Sequence, residues 1–180
     1  MGLDGLAVVV HPSNPVAQLT MDQLRDIFRG IVTNWKEVGG NDKSITILSR
    51  ETNSGTHVYF KEHVVRKGNE KGPEEFAPGA LLMPSSQAIA DEVSQNKYAI
   101  GYYGLGYVSA GQKVLAVSQK GMPYVKPSME TVKNNSYPIS RPLFMYTAGQ
   151  PQGLVKTFIG FVLSSEGQKI VKKLDFVPVK

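Results

Sequence analysis

The run Ile45-Thr46-Ile47-Leu48-Ser49-Arg50-Glu51-Thr52-Asn53-Ser54-Gly55-Thr56 passes from a short strand rich in β-branched residues, through a polar loop, into a helical stretch. The strand is expected over Ile45–Leu48, and the helix carries apolar positions at Val58, Phe60, Val64 and Val65. A loop in this position lies outside the carboxyl end of its strand, where open α/β sheets hold ligands. The first amides of the helix have no internal partners and carry the positive end of its dipole. Gly55 admits close approach by a ligand, Ser54 and Thr56 bring hydroxyls, and Arg50 brings a fork that fits a tetrahedral oxyanion. Arg50, Ser54, Gly55 and Thr56 are therefore candidate anion contacts, with Glu51 and Asn53 as accessory candidates. A plainer reading stays open: Ser54 or Asn53 as a helix cap, Gly55 as a loop glycine and Arg50 as a surface charge. A Walker P-loop is excluded, because no lysine follows Gly55.

Upstream, Leu6–Val10 reads as a buried strand closed by the turn His11-Pro12-Ser13-Asn14-Pro15. Thr20 and Gln23 form a capping-box pattern for a helix with Leu24, Ile27 and Phe28 inward, ended by Gly30. Downstream, Lys67–Pro78 reads as a surface loop, Leu81–Met83 as a strand, and Ser85/Ser86 as the cap of a helix through Ile89 and Val93. Ala99–Tyr103 is expected as a strand ending in the Gly104-Leu105-Gly106 turn. This alternation predicts an α/β unit with a largely parallel sheet. The remainder is sparser: strands at Val114–Val117 and Leu143–Thr147, a short helix at Ser128–Lys133, and helices over Gln152–Leu163 and Glu166–Lys173.

Composition narrows the function classes. With 41% hydrophobic and 19% charged residues over 180 positions, the chain can bury a core in one domain or two small ones. No cysteine is present, which removes disulfides, thiol catalysis and cysteine-based metal sites. The net charge of +5 comes from dispersed lysines and arginines, so a nucleic-acid patch is not expected. His57 and His63 do not share a helix face as a metal pair would, and His57 is expected at the surface. Asp22/Asp26 and Glu74/Glu75 read as solvated charges. No nucleophile–base arrangement can be nominated, so neither an enzyme nor a cofactor is expected. No secretory leader precedes Asp4, which points either to a cytoplasmic protein or to an N-terminal part that has been removed.

Several motifs in order carry a resemblance. They are Asp4-Gly5-Leu6-Ala7-Val8-Val9-Val10, Leu24-Arg25-Asp26-Ile27-Phe28 leading to Thr33-Asn34-Trp35, and Ser49-Arg50-Glu51 to Ser54-Gly55-Thr56. Further along come Ala99-Ile100-Gly101-Tyr102, Tyr137-Pro138-Ile139-Ser140-Arg141-Pro142-Leu143, and the tail Ser165-Glu166-Gly167-Gln168 to Phe176-Val177-Pro178. Across essentially its whole length the chain resembles the phosphate-binding proteins of bacterial ABC-type phosphate importers, a family of periplasmic substrate-binding proteins. The resemblance implies an α/β, periplasmic-binding-protein-like (type II) two-lobed fold that clamps inorganic phosphate between its lobes. It implies a membrane permease as partner and a periplasmic or extracellular location, with lipid anchoring of the full-length protein left open. Arg50, Ser54, Gly55 and Thr56 match the family's second-lobe contacts.

Two departures follow from the same resemblance. The family's acidic residue two positions after the arginine is Thr52 here, and the acid is Glu51, which leaves the orientation of Arg50 open. The family's first strand, first-lobe loop and Ser-Arg pair do not precede Asp4, so an N-terminally truncated member is expected. Residues 12–102 would then form the complete second lobe, with 1–11 and 103–180 the returning part of the first. Self-association through that part is expected. The alternatives are a same-fold receptor for another oxyanion or organic phosphate and, from a different class, a phosphatase on this scaffold.

Overall fold

In the computed structural model, which describes all 180 residues, β1 (Gly2–Val10) carries two hydrogen-bond ladders in succession. Its second half, Leu6–Val10, pairs antiparallel with β5 (Ala99–Gly104), and Val9–Val10 pair on the other edge with β6 (Lys113–Val114). Its first half, Gly2–Gly5, pairs antiparallel with β8 (Ser140–Leu143), while Leu3 exchanges bonds with Val177 near the chain's end. Partners therefore change at Gly5–Leu6, inside the strand.

Beyond β5 the sheet continues through β3 (Thr46–Arg50) to β4 (Leu81–Met83), and these three strands are parallel. The expected largely parallel sheet is thus mixed, because β1, β6 and β8 all join antiparallel. The expected strand Val114–Val117 divides at Leu115 into β6 and β7 (Ala116–Ser118). β7 leaves the main sheet to pair in parallel with β2 (Gln18–Thr20).

The apolar run of β1 is legible in its packing. Leu6, Val8 and Val10 face one core cluster, with Phe28, Phe60 and Tyr102. Ala7 and Val9 face the other, with Ile89, Val93 and Tyr103. A strand buried on both faces needs apolar residues at every position, which is why this run does not alternate.

On the first face, α1 (Met21–Phe28) starts at the Thr20–Gln23 capping box and ends before Gly30, whose φ of 71° suits glycine. α2 (Gly55–Phe60) runs on without a break into a π-helical turn, Lys61–Val65. Phe60, Val64 and Val65 are buried there, but Val58 is exposed, contrary to expectation, and His57 takes the inward place. Lys67–Pro78 is irregular as expected, although it sends Phe76 back to pack on Phe28, Phe60 and Tyr102. On the second face, α3 (Ser86–Gln95) is capped by Ser85.

The expected strand Leu143–Thr147 lies earlier, as β8, and Phe144–Gln150 is irregular. Pro142 inside β8 is tolerated for a definable reason. Its partner Leu3 donates its N–H to Val177 on the other edge, so Leu3 and Pro142 form a pair that exchanges no hydrogen bond. α4 (Met129–Lys133), α5 (Gly153–Val162) and α6 (Ser165–Lys173) complete the chain, α6 being capped by Ser164. Gln168 ties α6 to the start of β1 by donating to the Met1 carbonyl at 2.9 Å.

Gly101 shows how closely α3 meets the sheet. A Cβ there would stand 2.4 Å from Ile89 Cγ2. Gly101→Ala should therefore destabilise the fold by roughly 1–3 kcal/mol through overpacking, read as a lower urea midpoint. An unchanged midpoint would mean that α3 can back away freely.

Candidate functional site

The candidate loop lies where β3 ends and α2 begins, with the capped start of α3 beside it. Arg50 is the last residue of β3, and its side chain is only 16% exposed. Its Nε and Nη2 donate to Glu51 at 3.1 and 2.5 Å, and its Nη1 donates to Ser86 Oγ, at the start of α3, at 2.9 Å. The orientation that the sequence left open is thus set by the adjacent Glu51 and by α3. A guanidinium has five N–H groups. Three are used here, which leaves one on each Nη for another acceptor. The Arg50 guanidinium also holds the Glu51 carboxyl below its ordinary pKa, so Glu51 stays an anion.

Ser54 caps α2: its Oγ accepts from the Thr56 amide at 3.2 Å. The capping role that competed with anion binding is therefore present, yet it does not exhaust the hydroxyl, whose own proton remains to donate. Gly55 is exposed, and Ser54 and Thr56 are half-buried, so the loop is open to solvent on one side. The side chain of Asn53 is exposed on that turn and makes no hydrogen bond within the chain.

Two supports escaped the sequence reading. The first is His57, which is buried and not at the surface. Its Nδ1 donates to the Arg50 carbonyl at 2.9 Å, and its ring packs 4.7 Å from Phe76. Ser49 Oγ lies 3.1 Å from the same nitrogen and 2.8 Å from the Tyr102 hydroxyl, joining β3, α2 and β5 behind the loop. The second is Arg141 on β8, whose Nη1 donates to the Gly55 carbonyl at 2.7 Å. No local pattern marks either role. Only the nearness of His57 to Thr56 in sequence offered a hint.

No group of three or more metal-ligating side chains is gathered anywhere in the structure. At the loop the geometry offers hydrogen-bond donors at the end of a strand and the start of a helix, with one carboxylate occupied by an arginine. Such a set can hold a compact anion without covalent chemistry.

Comparison with known proteins gives a consistent family. A family described as the PBP superfamily domain matches residues 1–166. The phosphate-binding protein PstS of Pseudomonas aeruginosa is 33% identical over 99% of this chain and 59% of its own length. The PstS of Bacillus subtilis is 35% identical over 97% of this chain and 55% of its own length. Among solved structures, a Clostridium perfringens protein with bound phosphate superposes with a TM-score of 0.81 at 39% identity, over 99% of this chain and 70% of its own. An ABC-type phosphate transport receptor from Vibrio cholerae gives 0.84 at 31% identity, over 98% and 70%. This chain spans between half and three fifths of the length of those two curated relatives. It belongs to the PBP superfamily, in the branch that these phosphate-binding relatives represent.

His57 yields a test of the loop's support. Burial pushes its pKa below the ordinary 6.5, because the charged ring would lose hydration. The unfolded chain then binds more protons at mildly acidic pH, so this contribution to stability is complete above about 6.5 and is lost as pH falls. The His57 ring should titrate below 6.5 by NMR, and the fall in urea midpoint from pH 7 to 5 should be smaller in His57→Gln. A ring that titrates at or above the ordinary value contradicts this account.

Proposed function

We propose that this chain is part of the substrate-binding component of an ABC-type phosphate importer and holds inorganic phosphate non-covalently at Arg50, Ser54, Gly55 and Thr56. The observation that carries the reading is Arg50, clamped by Glu51 and Ser86 with two N–H groups to spare beside the first turn of α2. An arginine immobilised before the ligand arrives loses little further freedom on binding. Glu51 and Asn53 are accessory: Glu51 orients the arginine, and Asn53 stands at the open side of the loop. The bound phosphate of the Clostridium perfringens relative supports the choice of anion.

The function goes with binding and release, not turnover, and needs no cofactor. A permease is the membrane partner, and the location is periplasmic or extracellular, with a lipid anchor as one form of attachment. No helix of the structure is long and apolar enough to cross a membrane. Two lobes are part of the proposal, residues 12–102 forming one and 1–11 with 103–180 contributing to the other. That β1 carries two ladders in succession, one with β8 and one with β5, supports such a division.

Self-association is the remaining element. α5 has no buried residue, and Leu154, Phe158 and Phe161 on it are exposed at 88%, 59% and 48%. Apolar surface of this kind recruits a partner.

Calorimetric titration of the full chain at fixed pH and ionic strength tests the binding. Saturable phosphate binding is expected, weakened at least about a hundredfold in Arg50→Ala through loss of charge-assisted hydrogen bonds. A chain that takes up no phosphate would overturn the reading. Because the donors suit sulfate as well as phosphate, excess sulfate should compete; submicromolar phosphate binding untouched by sulfate would mean that an acceptor in the site reads the phosphate proton. Light scattering should give a mass that rises with concentration and returns to the monomer in Phe158→Lys/Phe161→Lys, whereas a monomer at every concentration would exclude self-association.

A further inference from the structure

One face of the helix that opens the candidate site is stitched to a distant segment of chain. Gly55, Tyr59 and His63 are spaced four apart in sequence, and such positions line one side of a helical run.

 Each of the three, Gly55, Tyr59 and His63, is bonded to the segment Pro138–Arg141. Arg141 Nη1 donates to the Gly55 carbonyl at 2.7 Å, the Tyr59 hydroxyl donates to the Ser140 carbonyl at 2.6 Å, and His63 Nε2 donates to the Pro138 carbonyl at 2.7 Å. The Arg141 guanidinium also lies over the Tyr59 ring, 5.3 Å from its centroid.

Arg141 is itself held from the far side. Its Nε and Nη2 both donate to Asp4 Oδ2, at 3.2 and 3.0 Å, and the Asp4 side chain is only 8% exposed. One planar group therefore joins β1, β8 and the first residue of α2. The Gly55 amide is a candidate ligand donor, and its carbonyl is the atom that Arg141 grips.

We propose that Arg141, braced by Asp4, is a positioning residue for the anion-binding loop, setting where the first turn of α2 stands relative to Arg50. This rests on the phosphate-binding reading only for its effect on affinity; the effect on the loop stands apart from it. A guanidinium can bridge a carboxylate and a carbonyl at once because its donors point in fixed directions, whereas a lysine ammonium is a single point charge. Neutralising Asp4 and positioning Gly55 are therefore separable by substitution.

The experiment compares the full-length wild-type chain with Arg141→Lys and with the double variant Asp4→Asn/Arg141→Gln, which leaves no unpaired buried charge. Amide hydrogen exchange is measured without ligand, and phosphate titrations are run alongside. In both variants, exchange over Gly55–Tyr59 should rise by about tenfold or more while β3 and β5 keep their protection. Where the wild type binds phosphate, affinity should fall by about tenfold, the loss of one charge-assisted hydrogen bond. A purely charge-balancing role predicts instead that Arg141→Lys behaves like the wild type, and that result would overturn the proposal. If Arg141→Lys does not fold, the double variant decides by the same exchange readout. Faster loop exchange in a chain whose wild type takes up no phosphate would uphold the positioning role and remove the anion reading. Unchanged exchange with intact phosphate binding would do the reverse.

Discussion

β1 is the constraint on which the rest of the structure depends. Between Leu6 and Val10 its faces are buried, one edge is taken by β5, and the other is taken by β6 at Val9–Val10 and by Ile139, which accepts from the Leu6 amide. A strand in that position has no freedom of register, because a slip of one residue would exchange the residues that face the two cores. The same backbone then continues through Gly5 into the ladder with β8 and the bridge to Val177. At Gly5 a Cβ would stand 2.5 Å from Val132 Cγ2, so the passage between ladders runs where α4 presses closest. One rigid strand thereby fixes the relation between the α2 side of the molecule and the segment around Arg141.

The candidate loop inherits its geometry from three directions. Behind it, His57, Ser49 and Tyr102 tie the end of β3 to α2 and β5. Beside it, Glu51 and Ser86 hold the Arg50 guanidinium. On its flank, Arg141 reaches from β8 to the Gly55 carbonyl, and Tyr59 donates back to the Ser140 carbonyl of β8. Burial raises the Tyr59 hydroxyl to about 12, so it stays a donor at any working pH. A site made of hydrogen-bond donors works only if those donors are aimed before the ligand arrives, since each must otherwise give up hydration and freedom at the moment of binding. Supports from separate elements provide that aim in a loop that is itself open to water.

α5 stands outside this order. It is among the most apolar segments of the chain and buries none of its residues, whereas the polar α6 beside it anchors the start of β1 through Gln168. An amphipathic helix resting on a core would show one buried stripe. A helix that is apolar and uncovered has a surface suited to contact beyond what this chain itself supplies.

Much of the fold was legible from residues a few positions apart. The capping box at Thr20 and Gln23, the cap at Ser85, and the unbroken apolar run of β1 are local signals, and the structure carries each of them. So is the order of strand, polar loop and glycine that brings Arg50, Ser54, Gly55 and Thr56 to the start of α2. Where reading failed, the deciding contact was remote. β8 lies at Ser140–Leu143 because Gly2–Gly5 is its partner, and the β propensity of Leu143–Thr147 could not report that. His57 is buried and Val58 exposed because the packing of α2 against Phe76 and Ser49 chose the face. Asp4 and Arg141 are 137 positions apart, and no periodicity or spacing links them. Local backbone preferences are encoded in neighbouring side chains, so the sequence alone determined the elements and the chemistry offered at the loop. The partners of each charge and the inward face of each helix are fixed only when distant segments compete for the same core, and tertiary structure decided those.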